Sequence, residues 1–415
     1  MLKELDVEAW INGRRQGLTG VYGTVSEIID NVRNNGDSAL YEYAKKFDKI
    51  ELEHLRVTED EIDEAYNSVE DRLIECLTQA EARIAEFHEF QKHDDLWLRE
   101  VSPGVTLGVK TTPLSRVGCY IPGGRASYPS TALMTAVPAR VAGVKEICAC
   151  SPPPINPLTI VAFDIAGVSE IYRVGGAQAI AAMALGTESI KKVDKIVGPG
   201  NVFVTAAKML LRDNAEIDFP AGPSEIGIIA DSSANPSFVA ADILAQAEHD
   251  PNSACVLVTA DKSLIDAVSK EVERQFSTAA RREIIEKSLK NSGYVLADSL
   301  EDAVEKMDRI APEHLSIQVA DTLSVLNKVH NAGSIFAGPY TPVACGDYAS
   351  GTNHVLPTAG YSKIYSGLNV NHFCKTSTVQ IVDREGLEEI GDIAETLATA
   401  EGLIAHAESV KIRRK

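Results

Sequence analysis

From about Val105 onward the chain repeats one pattern: a short β-branched or aliphatic run, a glycine- or proline-rich turn, then a stretch with helical spacing. This rhythm constrains the fold more than any other feature. Strands separated by helices can pair only through crossovers, which give parallel sheets covered by helices. Runs at 144–150, 169–174 and 194–197 read as strands. Ser151-Pro152-Pro153-Pro154 stops the first. Gly175-Gly176 leads into an alanine-rich helix at 177–185, and Gly198-Pro199-Gly200-Asn201 turns into a helix through Leu211. After Phe219-Pro220-Ala221-Gly222-Pro223 the rhythm restarts, with strands expected at 226–230, 255–260, 294–297, 315–319 and 334–336. A helix at 237–249 has Asn235 as its N-cap and Pro236 at its first position, and Asp250-Pro251 ends it.

The flanks differ. Segments 21–46 and 59–91 carry apolar residues at three- and four-residue spacing and read as helices. The last thirty residues read as one acidic amphipathic helix ending in Lys411-Ile412-Arg413-Arg414-Lys415, whose charge complements the helix dipole. At 415 residues, two to three domains are expected. The divisions are a helical region 1–116 feeding the first α/β domain, that domain at 117–225, a second α/β domain at 226–370, and a tail at 371–415.

Composition narrows the function. No apolar run approaches the roughly 18 residues of a membrane helix, and the N-terminus lacks a signal-peptide core. Seven irregularly spaced cysteines without a CxxC pair read as reduced thiols, so a cytoplasmic protein is expected. A formal net charge of −19 argues against a nucleic-acid partner and would favour a cationic metabolite.

Chemistry concentrates in polar clusters within apolar surroundings: Gln246-Ala247-Glu248-His249, Pro312-Glu313-His314, and Gly346 through His354 with Asp347 at its head. A late His406 lies in the tail. Imidazole, carboxylate and amide groups without cysteine suit a Zn²⁺ or Mn²⁺ site. Gln246 and His249 share a helix face and could reach one ion, or could be a buried pair satisfied by backbone. Glu313 and His314 could be two proton-transfer groups at a strand edge, or a surface pair. Asp347 opens what reads as an irregular loop, His354 reads as supporting it, and Cys345 reads as packing nearby. The turns at 175–176 and 198–201 could offer amides to a pyrophosphate, but GxGxxG, Walker A, HExxH and GxSxG patterns are absent. Residue chemistry alone leaves hydrolase and oxidoreductase both open.

Eight segments in order resemble the histidinol dehydrogenase family over nearly the whole chain. They are Gly118-Cys-Tyr-Ile-Pro-Gly-Gly124, Val174-Gly-Gly-Ala-Gln-Ala179, Gly198-Pro-Gly-Asn201, Ile217-Asp-Phe-Pro-Ala-Gly-Pro-Ser-Glu225, Gln246-Ala-Glu-His249, Pro312-Glu-His-Leu315, Gly346-Asp-Tyr-Ala-Ser-Gly-Thr-Asn-His354 and Ala400-Glu-Gly-Leu-Ile-Ala-His406. The resemblance implies two Rossmann-like parallel-sheet domains and a homodimer whose swapped C-terminal tails complete each other's active sites. It implies that Gln246, His249, Asp347 and His406 bind one Zn²⁺ and also meet substrate, with Ser224, His314 and Glu401 as further substrate contacts. Glu313 and His314 would be the catalytic pair, and Tyr120, Gln178 and Asn201 would line an NAD site. The implied reaction closes histidine biosynthesis: L-histidinol is oxidised through L-histidinal to L-histidine with two NAD⁺ and one water. In it His314 takes the hydroxyl proton, so activity should rise with pH through its pKa, and Glu313 activates water. Such enzymes more often carry a small aliphatic residue at Cys345, so that thiol is expected to add sensitivity to oxidation.

Overall fold

The computed structural model describes residues 2–14, 17–123 and 127–415, so Gly124 lies outside the described residues. The chain divides into two compact units, Met1–Gln91 with Ser115–Phe373, and Lys92–Leu114 with Cys374–Lys415. The larger unit opens with β1 (Lys3–Glu4), α1 (Val7–Arg14), α2 (Tyr22–Tyr43), α3 (Glu59–Ser68) and α4 (Asp71–Glu89). The single helix expected over 59–91 is two, because Val69 is extended (φ −101°, ψ 137°) and α3 ends there. A capping box between Thr58 and Glu61 starts α3. The smaller unit takes β2 (Leu96–Ser102) and β3 (Val105–Pro113).

Back in the larger unit, β4 (Arg116–Tyr120), α5 (Pro129–Val141), β5 (Glu146–Ser151), α6 (Pro157–Ala166), β6 (Glu170–Arg173), α7 (Gly176–Leu185), β7 (Lys195–Val197), α8 (Val202–Leu210) and β8 (Glu216–Ile217) alternate. The strands form one parallel sheet in the order β6-β5-β4-β7-β8. Asn201 caps α8 through its side-chain oxygen, which accepts the N–H groups of Phe203 and Val204 at 3.0 and 3.2 Å. Gly198 is held at φ 114°, where an added Cβ would lie 2.1 Å from the Tyr120 carbonyl oxygen. Only glycine fits that approach.

The rhythm then restarts as the sequence indicates: β9 (Glu225–Ala230), α9 (Pro236–Ala247), β10 (Ala254–Thr259), α10 (Lys262–Phe276), α11 (Arg282–Leu289), β11 (Gly293–Leu296), α12 (Leu300–Ile310), β12 (His314–Gln318), α13 (Thr322–Leu326), β13 (Ser334–Ala337) and α14 (Val343–Tyr348). Asn235 caps α9 with Pro236 at its first turn, as expected. The second parallel sheet runs β1-β11-β10-β9-β12-β13. Its strands are apolar on both faces because both are covered. Ile226 and Ile228 of β9 join Cys255 and Leu257 of β10 in one core, against α9 and α10. Ile229, Val256 and Val258 face the opposite core with Leu315, Ile317, Met307 and Trp10 of α1. Apart from the added edge strand β1, both sheets place their first and fourth strands side by side, the arrangement that opens a crevice in a doubly wound sheet.

In the smaller unit, β14 (Cys374–Val382) pairs antiparallel with β3, and β3 with β2. The tail is therefore not wholly helical. Nor is its helix single: α15 (Arg384–Ala400) and α16 (Ile404–Lys411) are separated at Gly402, which has φ 76°. All seven cysteines are free.

One ion pair ties the N-terminus to the second sheet. Arg14, at the end of α1, donates through Nε to Glu225 Oε2 at 2.9 Å. The two residues are only 9% and 1% exposed. The guanidinium also donates to the carbonyls of Asn252, Pro223 and Ser224 at 2.8, 3.0 and 3.3 Å, and lies 5.5 Å from the Trp10 ring centroid. Removing one member of so buried a pair strands the other charge, at a cost of about 3–5 kcal/mol. Arg14→Met should lose that much stability in urea unfolding, and adding Glu225→Gln should restore part of it. A loss below about 1 kcal/mol, the worth of a solvated pair, would contradict the burial described.

Candidate active site

One cavity of about 1660 Å³ opens within the larger unit. It gathers Tyr120, Gln178, Asn201, Ser224, His249, Glu313, His314 and Asp347 from segments far apart in sequence. Gln246 is buried on the last turn of α9 and does not line it. Glu401 and His406 lie in the smaller unit, exposed at the end of α15 and in the first turn of α16. Cys345 is exposed on α14 and is not part of the cavity wall.

On the first sheet, the wall comes from the carboxyl ends of strands. Tyr120 ends β4, Ser151 ends β5, and Gly198 follows β7. The Tyr120 phenol oxygen accepts the Gly176 N–H at 3.1 Å, which leaves its own proton to donate. Burial pushes that phenol up to about 12. Behind the turn, Lys208 forms a buried ion pair with Asp218 and donates to the Gly198 carbonyl at 3.0 Å, while Asp218 accepts the Gly198 N–H at 2.8 Å. The turn is thus fixed from beneath by Lys208 and Asp218.

On the second sheet the wall comes from amino ends. His314 begins β12 beside Ile226 of β9, and Glu225 begins β9. The Glu225 backbone serves both members of the Glu313–His314 pair. Its N–H donates to Glu313 Oε2 at 2.9 Å, and its carbonyl oxygen lies 3.1 Å from His314 Nδ1. Meanwhile its side chain holds Arg14 and accepts the Ala359 N–H at 2.8 Å.

That carbonyl can only accept, so His314 Nδ1 carries the proton and Nε2 presents a lone pair. Nε2 is buried without a partner, 4.0 Å from Asp347 Oδ1. Burial drives the His314 pKa down to about 3. Burial thus favours the neutral ring, a proton acceptor at Nε2. Burial drives Glu313 the other way, well above the usual carboxylate range, reinforced by the Glu225 and Asp347 charges and opposed by the Glu225 N–H and the Ser224 hydroxyl.

Asp347 lies in the short helix α14 rather than in an irregular loop, and burial lifts its pKa to about 7. His354 supports it: Nδ1 lies 3.1 Å from the Asp347 carbonyl oxygen and Nε2 lies 3.3 Å from Thr131 Oγ1. Both ring nitrogens are thereby engaged. Gln246 offers an amide with neither Oε1 nor Nε2 hydrogen-bonded. Among the described residues, no three His, Cys, Asp or Glu side chains gather as a ready metal cluster. Two of the candidate side chains nevertheless keep buried polar atoms without partners, the Gln246 amide and His314 Nε2. Orphaned donors of this kind fit a bound cation.

Arg14, Glu225 and Thr131 were not singled out from sequence. Glu225 closes the quoted Ile217–Glu225 segment, which was the available signal; Arg14 and Thr131 sit in helices whose spacing reports only packing.

A family model described as histidinol dehydrogenase matches residues 12–414. The histidinol dehydrogenase of Methanosarcina barkeri is 54% identical over 404 residues, 96% of this chain and 93% of its own. That of Methanocaldococcus jannaschii is 49% identical over 421 residues, 100% and 98% of the two chains. The crystal structure of histidinol dehydrogenase from Elizabethkingia anophelis superposes with a TM-score of 0.93 at 40% identity, covering 99% of this chain and 96% of that one. An indole-3-acetaldehyde dehydrogenase in apo form reaches a TM-score of 0.51 at 12% identity, covering 87% and 88%, a likeness of fold alone. With a match from residue 12 to 414 and identity near one half along its length, the chain belongs to the histidinol dehydrogenase family.

Proposed function

We propose that this protein is a cytoplasmic, NAD-dependent, zinc-requiring enzyme that oxidises L-histidinol to L-histidine through L-histidinal. The carrying observation is the continuity of the cavity. It runs from the carboxyl edge of the first sheet, with Tyr120, Gln178 and Asn201, to the amino edge of the second, with Glu313, His314 and Asp347. At about 1660 Å³ it exceeds the ~300–1,000 Å³ usual for one ligand, which suits a dinucleotide beside a small alcohol.

Gln246, His249 and Asp347 would hold the zinc ion, with His406 supplied by the tail of a second copy. When bound, zinc would orient the substrate imidazole and amine, and NAD would accept hydride. His314 Nε2 removes the alcohol proton. Glu313, once deprotonated, takes a proton from water as that water adds to the aldehyde, and the hydrate is the species oxidised second. Ser224 and Glu401 would contact substrate, the latter as an anion suited to its ammonium. Sharing of tails is supported by apolar side chains left bare on the smaller unit, Ile393 at 61% exposed and Leu397 at 58%. The family supports a place in histidine biosynthesis. No helix among the described residues is long and apolar enough to cross a membrane.

The decisive measurement is NADH formed per L-histidinol consumed: about two, with histidine as product, is expected from two sequential hydride transfers. A ratio of about one would mean that the aldehyde escapes and that Glu313 does not activate water. For pH, the group that must lose a proton is Glu313, since burial already favours the neutral His314 ring. Activity in the second oxidation should therefore rise with pH through a value above the ordinary carboxylate range of about 4.3, and Glu313→Gln should abolish that limb. A limb surviving in Glu313→Gln would assign it to another group. Subunit sharing has its own signature. His249→Ala and His406→Ala homodimers should each lose zinc and activity, while equal mixing with exchange should restore about a quarter of the sites. No recovery after verified exchange would place both residues in one chain's site.

A further inference from the structure

Asp48 ends a wide turn, Ala44–Asp48, that continues α2 and closes at Lys49, whose backbone is left-handed at φ 61°. Asp48 lines the same cavity as Tyr120, Gln178 and Asn201. The element belongs to the first sheet's side: Val25, Ile28, Ile29 and Val32 of α2 share a core with Tyr120, Ile180 and Val204. Yet Asp48 Oδ2 is buried and has no hydrogen-bond partner.

The lack of a partner is not for want of cations. Lys45 pairs with Glu51. Lys46 lies over the rings of Tyr43 and Phe47, 6.0 and 5.4 Å from their centroids, and Lys49 Nζ donates to the Lys46 carbonyl at 2.7 Å. Three lysines between positions 45 and 49 all turn elsewhere. Among the described residues, the Tyr120 phenol feels the Asp48 charge, and no hydrogen bond joins the two. A carboxylate held this way is costly unless something brings it donors. A carboxylate has two acceptor oxygens side by side, which match the two hydroxyls of a ribose, whereas a phosphate would meet it charge against charge.

We propose that Asp48 is the residue by which this cavity accepts a dinucleotide with a free ribose diol and excludes one phosphorylated on that ribose. The proposal rests on the dinucleotide reading of the cavity given above. It locates the discriminating acid on the N-terminal helical region, outside the sheet that supplies the rest of the nucleotide wall.

The test compares NAD⁺ and NADP⁺ as oxidants of L-histidinol by the zinc-loaded full-length protein and its Asp48→Asn variant. The ratio of kcat/KM for NAD⁺ over NADP⁺ should fall by roughly tenfold or more, through a higher KM for NAD⁺ and better use of NADP⁺. The KM for histidinol should stay within about twofold. Equilibrium titration with NADH and NADPH should show the same shift without turnover. Thermal unfolding of the ligand-free variant should be unchanged or improved, since neutralisation removes a half-buried charge whose Oδ2 has no partner. An unchanged ratio in an active variant would overturn the role of Asp48, as would an effect confined to histidinol KM or to stability. Wild-type protein reducing neither dinucleotide would overturn the cofactor reading itself.

Discussion

The Glu313–His314 end of the cavity hangs on Glu225. Through its backbone it holds both Glu313 and His314, and through its side chain it is itself held by Arg14 and the Ala359 amide. The arrangement converts an interaction between distant parts of the chain into a local alignment. Helix α1 is joined to the amino end of β9, and β9 to the amino end of β12. A buried ion pair is rarely a net source of stability against an apolar alternative, because both charges must leave water. Its value here is directional: the guanidinium also grips three carbonyls around the 223–225 segment, so the strand can start in only one place.

The second governing fact is electrostatic. Four ionisable side chains of the cavity are driven toward neutrality by burial: His314 to about 3, His354 to about 4, Asp347 up to about 7, and Glu313 far above its usual range. Such a set offers lone pairs while charging itself reluctantly. A cation entering it regains, by direct interaction, what the protein loses in hydration. The unsatisfied amide of Gln246 belongs to the same logic, because an amide donates a lone pair without adding a charge that must be desolvated.

The parallel sheets were legible in the sequence because their strands are covered on both faces and therefore read as unbroken apolar runs. The antiparallel sheet was not. Leu96, Trp97 and Leu98 are all substantially exposed and are followed by Arg99 and Glu100, so β2 shows neither clean alternation nor an apolar run. The break at Val69 was hidden because helical spacing continues across it, whereas Gly402 could have marked the split in the tail. Of the candidate site, the residues around one cavity were named through polar clusters and family resemblance. Chemistry alone found His249, Glu313, His314 and Asp347 but could not tell a cavity from a packed core. Arg14 was invisible because its partner lies more than two hundred residues away, and nothing local distinguishes it from a surface arginine.

A final consequence follows from Ala311. This fully buried residue caps α12 in the left-handed region at φ 53°, donates its N–H to the Met307 carbonyl at 2.8 Å, and accepts the Ser362 hydroxyl at 2.7 Å. Glycine is the usual choice there, and a side chain costs on the order of 1 kcal/mol. But glycine samples a broad range of angles, while alanine has only a narrow left-handed well, and Pro312 next to it cannot rotate about φ at all. The joint leading into Glu313 and His314 is thus a splint: it gives up some folding energy so that thermal motion of α12 is not passed on as a wobble of the two side chains beyond it.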